Sequence, residues 1–223
     1  MAVQAGVAQW IERFPPEKEV GGSNPLVRTL YGRYFPTASY QYHLHIRRIP
    51  VIGKKMHEAL QKQLNMELYS YYLYMAMSAH FNDINLKGFA NWLRIQAQEE
   101  MIHSMKFFDQ LLDRRAKVTL FAIDAPPSTW KSPLAAFEDA FAHEEKVTAS
   151  INELSSLAIA EKDHASSIFL EWFVTEQVEE LSSADAIIQD LKLIGDDKGA
   201  LFFIDRELAK RVLTLAANTT AAP

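Results

Sequence analysis

There is no cysteine among the 223 residues, so disulfides and thiolate metal sites are excluded. Any metal this chain takes must be held by oxygen and imidazole. Nor is there an apolar run long enough to span a bilayer, which argues against a membrane protein. Helix breakers are scarce in one part of the chain only. Between Met56 and Arg211 the only prolines are Pro126, Pro127 and Pro133, and the only glycines are Gly88, Gly195 and Gly199. So long a stretch with so few breakers reads as long helices. With 48% hydrophobic and 11% aromatic residues the chain can bury one sizeable core, and one domain is expected.

The net charge of -5 conceals two unlike pieces. Residues 1–55 carry 8 basic and 3 acidic side chains, a net of +5. Residues 56–223 carry 23 - 8 = 15 basic and 28 - 3 = 25 acidic side chains, a net of -10. In the first piece Pro15-Pro16, Gly21-Gly22, Pro25, Pro36 and Pro50 interrupt every run. It shows no sustained period and is expected to be a non-domain extension. It lacks the uninterrupted apolar region of a secretory signal, and it is poorer in serine than transit peptides usually are. Val7-Ala8-Gln9-Trp10-Ile11-Glu12-Arg13 and Gly22-Ser23-Asn24-Pro25 resemble the conceptual translation of a transfer-RNA gene, upstream of a reading frame that starts at Met56. A transit peptide or a basic arm is the other reading. Only a transit peptide would move the expected location from the cytoplasm to an organelle. Residues 212–223, rich in Ala and Thr, read as a flexible tail.

Residues 56–83, 86–114, 133–161 and 164–194 are predicted to form four long helices, and 197–211 a short fifth. Ser132 ahead of Pro133 is the pair expected at a helix start. Short joints make antiparallel neighbours of the first and second helices, and of the third and fourth. The connection 116–131, with Val118, Leu120, Phe121, Ile123 and Trp130, is long enough to cross the bundle from end to end. The expected fold is all-α, a four-helix bundle with one long crossover.

A 4-3-4-3 seam runs along each long helix. The first reads Leu60, Leu64, Glu67, Tyr71, Tyr74, Ser78, and the second Phe89, Leu93, Gln96, Glu100, His103, Phe107. The third reads Ala140, Glu144, Val147, Ile151, Leu154, Ala158, and the fourth Leu170, Phe173, Gln177, Glu180, Ala184, Ile187, Leu191. Each is interrupted near mid-helix by acid or amide side chains, which meet at one level whichever way the helices run. Glu100 and His103 stand one turn apart on one face, the Glu-x-x-His spacing with which helix bundles hold pairs of metal ions. On the third helix Glu145 competes with Glu144 for the inward position. Taken singly, each carboxylate reads better as part of a solvated face. Taken together, ionised groups inside a bundle would each cost several kcal/mol and would repel one another, a penalty that divalent cations remove. Carboxylate oxygens with one imidazole suit iron, manganese or zinc without deciding among them.

Asn65-Met66-Glu67-Leu68-Tyr69-Ser70, Ala97-Gln98-Glu99-Glu100-Met101-Ile102-His103 and Glu176-Gln177-Val178-Glu179-Glu180 resemble the motifs of bacterial non-haem ferritins. Phe203-Ile204-Asp205-Arg206-Glu207-Leu208 extends the likeness into the fifth helix, so that it covers about residues 56–210. The resemblance implies a ferritin-like bundle that oxidises Fe(II) with dioxygen and stores Fe(III) as mineral. It also implies a hollow shell of twenty-four subunits with the fifth helix at an axis. By the same resemblance Glu67, Glu100 and His103 hold a first iron. Glu100 bridges to a second held by Glu144 and Glu180, with Gln177 nearby. Glu99, Glu176 and Glu179 match a third iron position, and Tyr74 a tyrosine beside the centre, although spacing alone equally makes Tyr74 a core aromatic.

Many di-iron bundles repeat Glu-x-x-His, whereas the fourth helix here has Gln177-x-x-Glu180. An amide is a poor, neutral ligand, so the second ion is expected to be held less firmly and passed on. The same feature argues against haem, and Met75 and Met101 read as packing residues. Two rivals are a DNA-protecting mini-ferritin, whose basic arm would bind phosphate, and a permanent di-iron redox enzyme. The fifth helix and the complete intra-bundle set disfavour the first, and the missing second Glu-x-x-His disfavours the other. The expected partners are Fe(II), dioxygen and further copies of the chain, with no nucleic acid, membrane or haem. The acid excess of residues 56–223 would draw cations to such a shell.

Overall fold

The computed structural model describes residues 51–213. The expectations for residues 1–50 and 214–223 fall outside the described residues. The described chain has five helices and no strand: α1 (Lys54–Asp83), α2 (Lys87–Asp113), α3 (Pro133–Ala160), α4 (His164–Ile194) and α5 (Lys198–Leu208). The fold is the all-α four-helix bundle with a long crossover and a short fifth helix. Two boundaries differ from expectation by more than one residue. α1 begins ahead of Met56, and the Val51 N–H donates to the Arg114 carbonyl at 3.0 Å, so packed structure reaches upstream of residue 56. α5 stops at Leu208 rather than Arg211.

Local chemistry explains most helix starts. Ser132 accepts from the Ala135 N–H at 3.1 Å with Pro133 following it, and Asp163 and Asp197 cap α4 and α5 in the same way. α2 has no side-chain cap of its own. Asp205 of α5 supplies it, accepting from the N–H groups of Gly88 at 2.7 Å and Phe89 at 3.1 Å. Gly88 is what allows this approach, because a Cβ there would lie 1.6 Å from the Asp205 carbonyl oxygen. The ends of α1, α2 and α3 do without glycine. Asn85, Arg115 and Lys162 take the left-handed turn at φ 62, 56 and 56°. Each is followed by a 2.9 Å bond back into the last turn: Leu86 to Phe81, Ala116 to Leu111 and Asp163 to Ala158.

The crossover lies along α1. His57, Gln61 and Asn65, successive turns on one face of α1, bond the carbonyl oxygens of Lys117, Thr119 and Ala122. Trp130 then meets the His80 ring. The connection thus returns the chain to the far end of α1, and α3 runs antiparallel to α1 while α4 runs antiparallel to α2.

Two apolar clusters fill the bundle, one around Phe81, Phe89 and Phe137, the other around Leu64, Phe107 and Phe173. On every long helix the polar seam residues fall between them. The seams of α2, α3 and α4 are buried throughout, as expected. α1 departs: Ser70 and Met77 are buried, whereas Tyr71 and Ser78 are only partly covered. The buried positions Leu60, Gln63, Glu67, Ser70, Tyr74 and Met77 keep the seven-residue spacing but alternate 3-4-3-4, one residue earlier than expected at every second position.

Candidate metal centre

The polar layer is assembled from all four long helices. α2 contributes Glu100 and His103, whose Nδ1 stands 3.4 Å from Glu100 Oε2. From α1, Glu67 Oε2 approaches the same nitrogen at 3.9 Å. Donor atoms of these three residues lie within 4.8 Å of one another. His103, Glu176 and Glu180 form a second such set, with Nε2 of His103 4.0 Å from Glu176 Oε1. On α3 it is Glu144 that faces inward at 2% exposure, while Glu145 is exposed. Tyr74 is buried and its hydroxyl donates to Glu144 Oε1. Gln177 is also buried, its oxygen accepting from the Thr148 hydroxyl at 2.8 Å. Glu179 is exposed. Glu99 is half-buried and ion-paired with Arg211 at 2.5 Å. Among the described residues neither of these two joins a set of three close donors.

Three buried side-chain atoms of the layer have no hydrogen-bond partner: Glu67 Oε2, His103 Nδ1 and Glu144 Oε2. An orphaned buried polar atom costs on the order of 1–3 kcal/mol, more when charged. Orphans on three different helices within one layer call for a shared cationic partner. Hard oxygens with a single imidazole are the donor set for a divalent first-row ion. The residues present therefore fit metal binding.

The electrostatics agree. Burial, followed by the neighbouring carboxylates, pushes Glu67, Glu100, Glu144 and Glu180 up to about 8. Burial also raises the Tyr74 hydroxyl well above the usual phenol range, with Glu144 adding to it. Behind Glu144, burial lowers His143 to about 4, and the neutral ring bonds the Ser70 hydroxyl at 2.7 Å.

Some supporting residues escaped the sequence reading. Gln63 donates to Glu67 Oε1 at 2.7 Å. Gln96, seen only as a seam position, donates to Glu100 Oε1 at 3.0 Å and to Glu180 Oε2 at 2.6 Å. Each stands one turn before its carboxylate, at i and i+4 on the same face, and that repeated spacing was the available signal. Trp172 closes the layer, its ring edge-on to His103 with centroids 5.3 Å apart.

A family model for the ferritin-like domain matches residues 57–194. The bacterial non-heme ferritin of Staphylococcus saprophyticus is 41% identical over 161 residues, covering 72% of this chain and 96% of that protein. Its counterpart from Bacteroides fragilis is 38% identical over 161 residues, covering 72% and 100%. An open pore ferritin from the hyperthermophilic archaeon Archaeoglobus fulgidus is 53% identical in sequence, with a TM-score of 0.71 over 72% of this chain and 99% of that one.

Proposed function

The chain belongs to the non-haem ferritin family, a family of iron oxidation and storage, and from that premise we propose that each subunit oxidises Fe(II) with dioxygen at a two-ion centre inside its own bundle. Glu67 and His103 take the first Fe(II), Glu144 and Glu180 the second, and Glu100 is shared. Two ions held side by side each give up one electron to dioxygen, the two-metal arrangement suited to that chemistry. The surrounding carboxylates neutralise the charge that builds up, and they release their protons as iron enters. Gln177, its oxygen engaged by Thr148, offers the second ion a weak amide where the first has an imidazole, so the ferric product can move on to a mineral store. Tyr74 acts through Glu144. Glu99, Glu176 and Glu179 remain the candidates for a third iron.

The observation that carries this reading is the set of three orphaned donors, Glu67 Oε2, His103 Nδ1 and Glu144 Oε2. Glu100→Ala is expected to abolish fast aerobic Fe(II) oxidation, because it removes the ligand both ions share. Stopped-flow absorbance under air reads this out, and an unchanged initial rate would overturn the assignment.

Storage requires a container. Leu120 and Phe121 on the crossover are 66% and 50% exposed, and Phe202 and Phe203 on α5 are 59% and 71% exposed. Such apolar surface supports burial against further copies of the chain, in a shell of twenty-four subunits as the family resemblance implies. Within the same reading the protein is cytoplasmic and holds no haem. No helix among the described residues is long and apolar enough to cross a membrane.

A further inference from the structure

Arg211 lies three residues beyond α5 and reaches back onto α2. Its guanidinium sits over the Trp92 ring, 4.1 Å from the centroid. Nη1 donates to the Gln96 side-chain oxygen at 2.9 Å and to the Trp92 carbonyl oxygen at 3.3 Å. Nη2 donates to Glu99 Oε2 at 2.5 Å. Ring, amide, carbonyl and carboxylate lie on successive turns of α2, so the guanidinium is fixed in one pose. A guanidinium is permanently charged and donates only. An amide whose oxygen is taken by Arg211 must turn its NH2 inward, and there Gln96 bonds Glu100 and Glu180.

We propose that Arg211 is a built-in cation that occupies Glu99 in place of a third iron, so that this position opens only when the segment after α5 lifts off α2. The inference rests on the iron-oxidation reading given above. Of the three carboxylates assigned to the third position, Glu176 faces His103, Glu179 is exposed, and Glu99 is held by Arg211. The charge a third ion would need is already neutralised, and the oxygen it would bind already accepts a hydrogen bond. The arm that does this is anchored nearby, since Asp205 of α5 caps α2 through Gly88 and Phe89. Docking of α5 on α2 therefore governs whether Glu99 is free. The pair is not deeply buried, with 22% and 18% side-chain exposure for Arg211 and Glu99, so a dissolved cation can reach and compete with it.

The test uses the full-length protein and Zn2+ as a redox-inert probe, followed by calorimetry and by bound zinc per subunit. Arg211→Gln is expected to tighten a third equivalent of Zn2+ by roughly two- to fivefold, the scale of a partly exposed ion pair. Glu99→Gln in that background should remove the gain, and Arg211→Lys, which keeps the charge but loses the fork and the ring stacking, should fall between wild type and Arg211→Gln. If Arg211 only anchors the C-terminal segment, Arg211→Gln will melt lower with an unchanged zinc isotherm, and the proposal fails. A second readout needs no variant: tryptic cleavage after Arg211, followed by mass spectrometry. Cleavage should accelerate as the third equivalent of Zn2+ binds but not during the first two, and cleavage indifferent to the third equivalent also overturns it. The underlying reading fails differently, through a wild type that binds no pair of zinc ions, or a pair untouched by Glu100→Ala.

Discussion

At the scale of single residues, the centre is a set of carboxylates held where they ionise reluctantly. Glu67, Glu100, Glu144 and Glu180 are each pushed up to about 8 from 4.5, by burial first and by one another next. The consequence for stability has a definite sign. Between about pH 4.5 and 8 the folded, metal-free chain keeps protons that the unfolded chain has released. Its stability therefore falls as pH rises through that window and is greatest below it. A divalent ion reverses the trend by replacing those protons. The metal-free protein is expected to melt lower at pH 8 than at pH 5.5, with Zn2+ restoring more at pH 8. Calorimetry in two buffers of different ionisation enthalpy should show protons released on Zn2+ binding at pH 7. Zinc binding without proton release would contradict the raised carboxylates.

At the scale of the element, α5 and α2 depend on one contact. Gly88→Ala adds a methyl where the Asp205 carbonyl oxygen would lie only 1.6 Å away and Ala209 N 3.0 Å away. These are backbone atoms, so α5 has to move. Alanine contributes up to about 1 kcal/mol of helix propensity over glycine. Against that stand the lost cap, about 1 kcal/mol, and overpacking of about 1–3 kcal/mol, so the net is destabilising. Thermal unfolding of Gly88→Ala is expected several degrees below wild type. Because Arg211 follows α5, the same variant should also bind a third Zn2+ more tightly. A variant as stable as wild type would mean that α5 does not depend on this contact.

At the scale of the whole molecule, the bundle is closed at one end by Arg114. It bonds the Val51 carbonyl through Nε at 2.9 Å, Asp163 Oδ1 and Oδ2 at 3.0 Å each, and the Ser166 hydroxyl at 3.1 Å. The Asp163 carboxyl is held below its usual range chiefly by the bonds from Arg114 and Ser166, which outweigh the opposing effect of burial. A chain beginning at Val51 is expected to match the full-length protein in particle size, melting temperature and Fe(II) oxidation rate. One beginning at Met56 gives up the Val51 bonds and the packing of Ile52 on the cluster around Leu64, Phe107 and Phe173. It should melt a few degrees lower, on the order of 1 kcal/mol, with an unchanged oxidation rate because the polar layer lies further along α1. Failure of the Val51 chain to assemble would mean that residues 1–50 form a working interface.

Much of this protein was legible in order along its sequence. Scarce breakers, the 3.5-residue seams and the Glu100–His103 spacing are local relations, set by helix geometry within a few turns, so they survive without knowledge of the partners. Buried positions on α2, α3 and α4, and a polar layer between two apolar clusters, follow from them. On α1 the same seven-residue spacing leaves open which of two neighbours faces in, and packing took Ser70 over Tyr71 and Met77 over Ser78, with Ser70 meeting His143 of α3. Tertiary structure alone decided the rest. That Glu144 rather than Glu145 faces inward depends on the rotation of α3 against α1, where Tyr74 meets it. That Asp205 caps α2, and that Arg211 claims Glu99 and orients Gln96, depends on contacts between residues more than 100 positions apart. No local period encodes such contacts, because they exist only once the crossover and the last turn have brought α5 back onto α2.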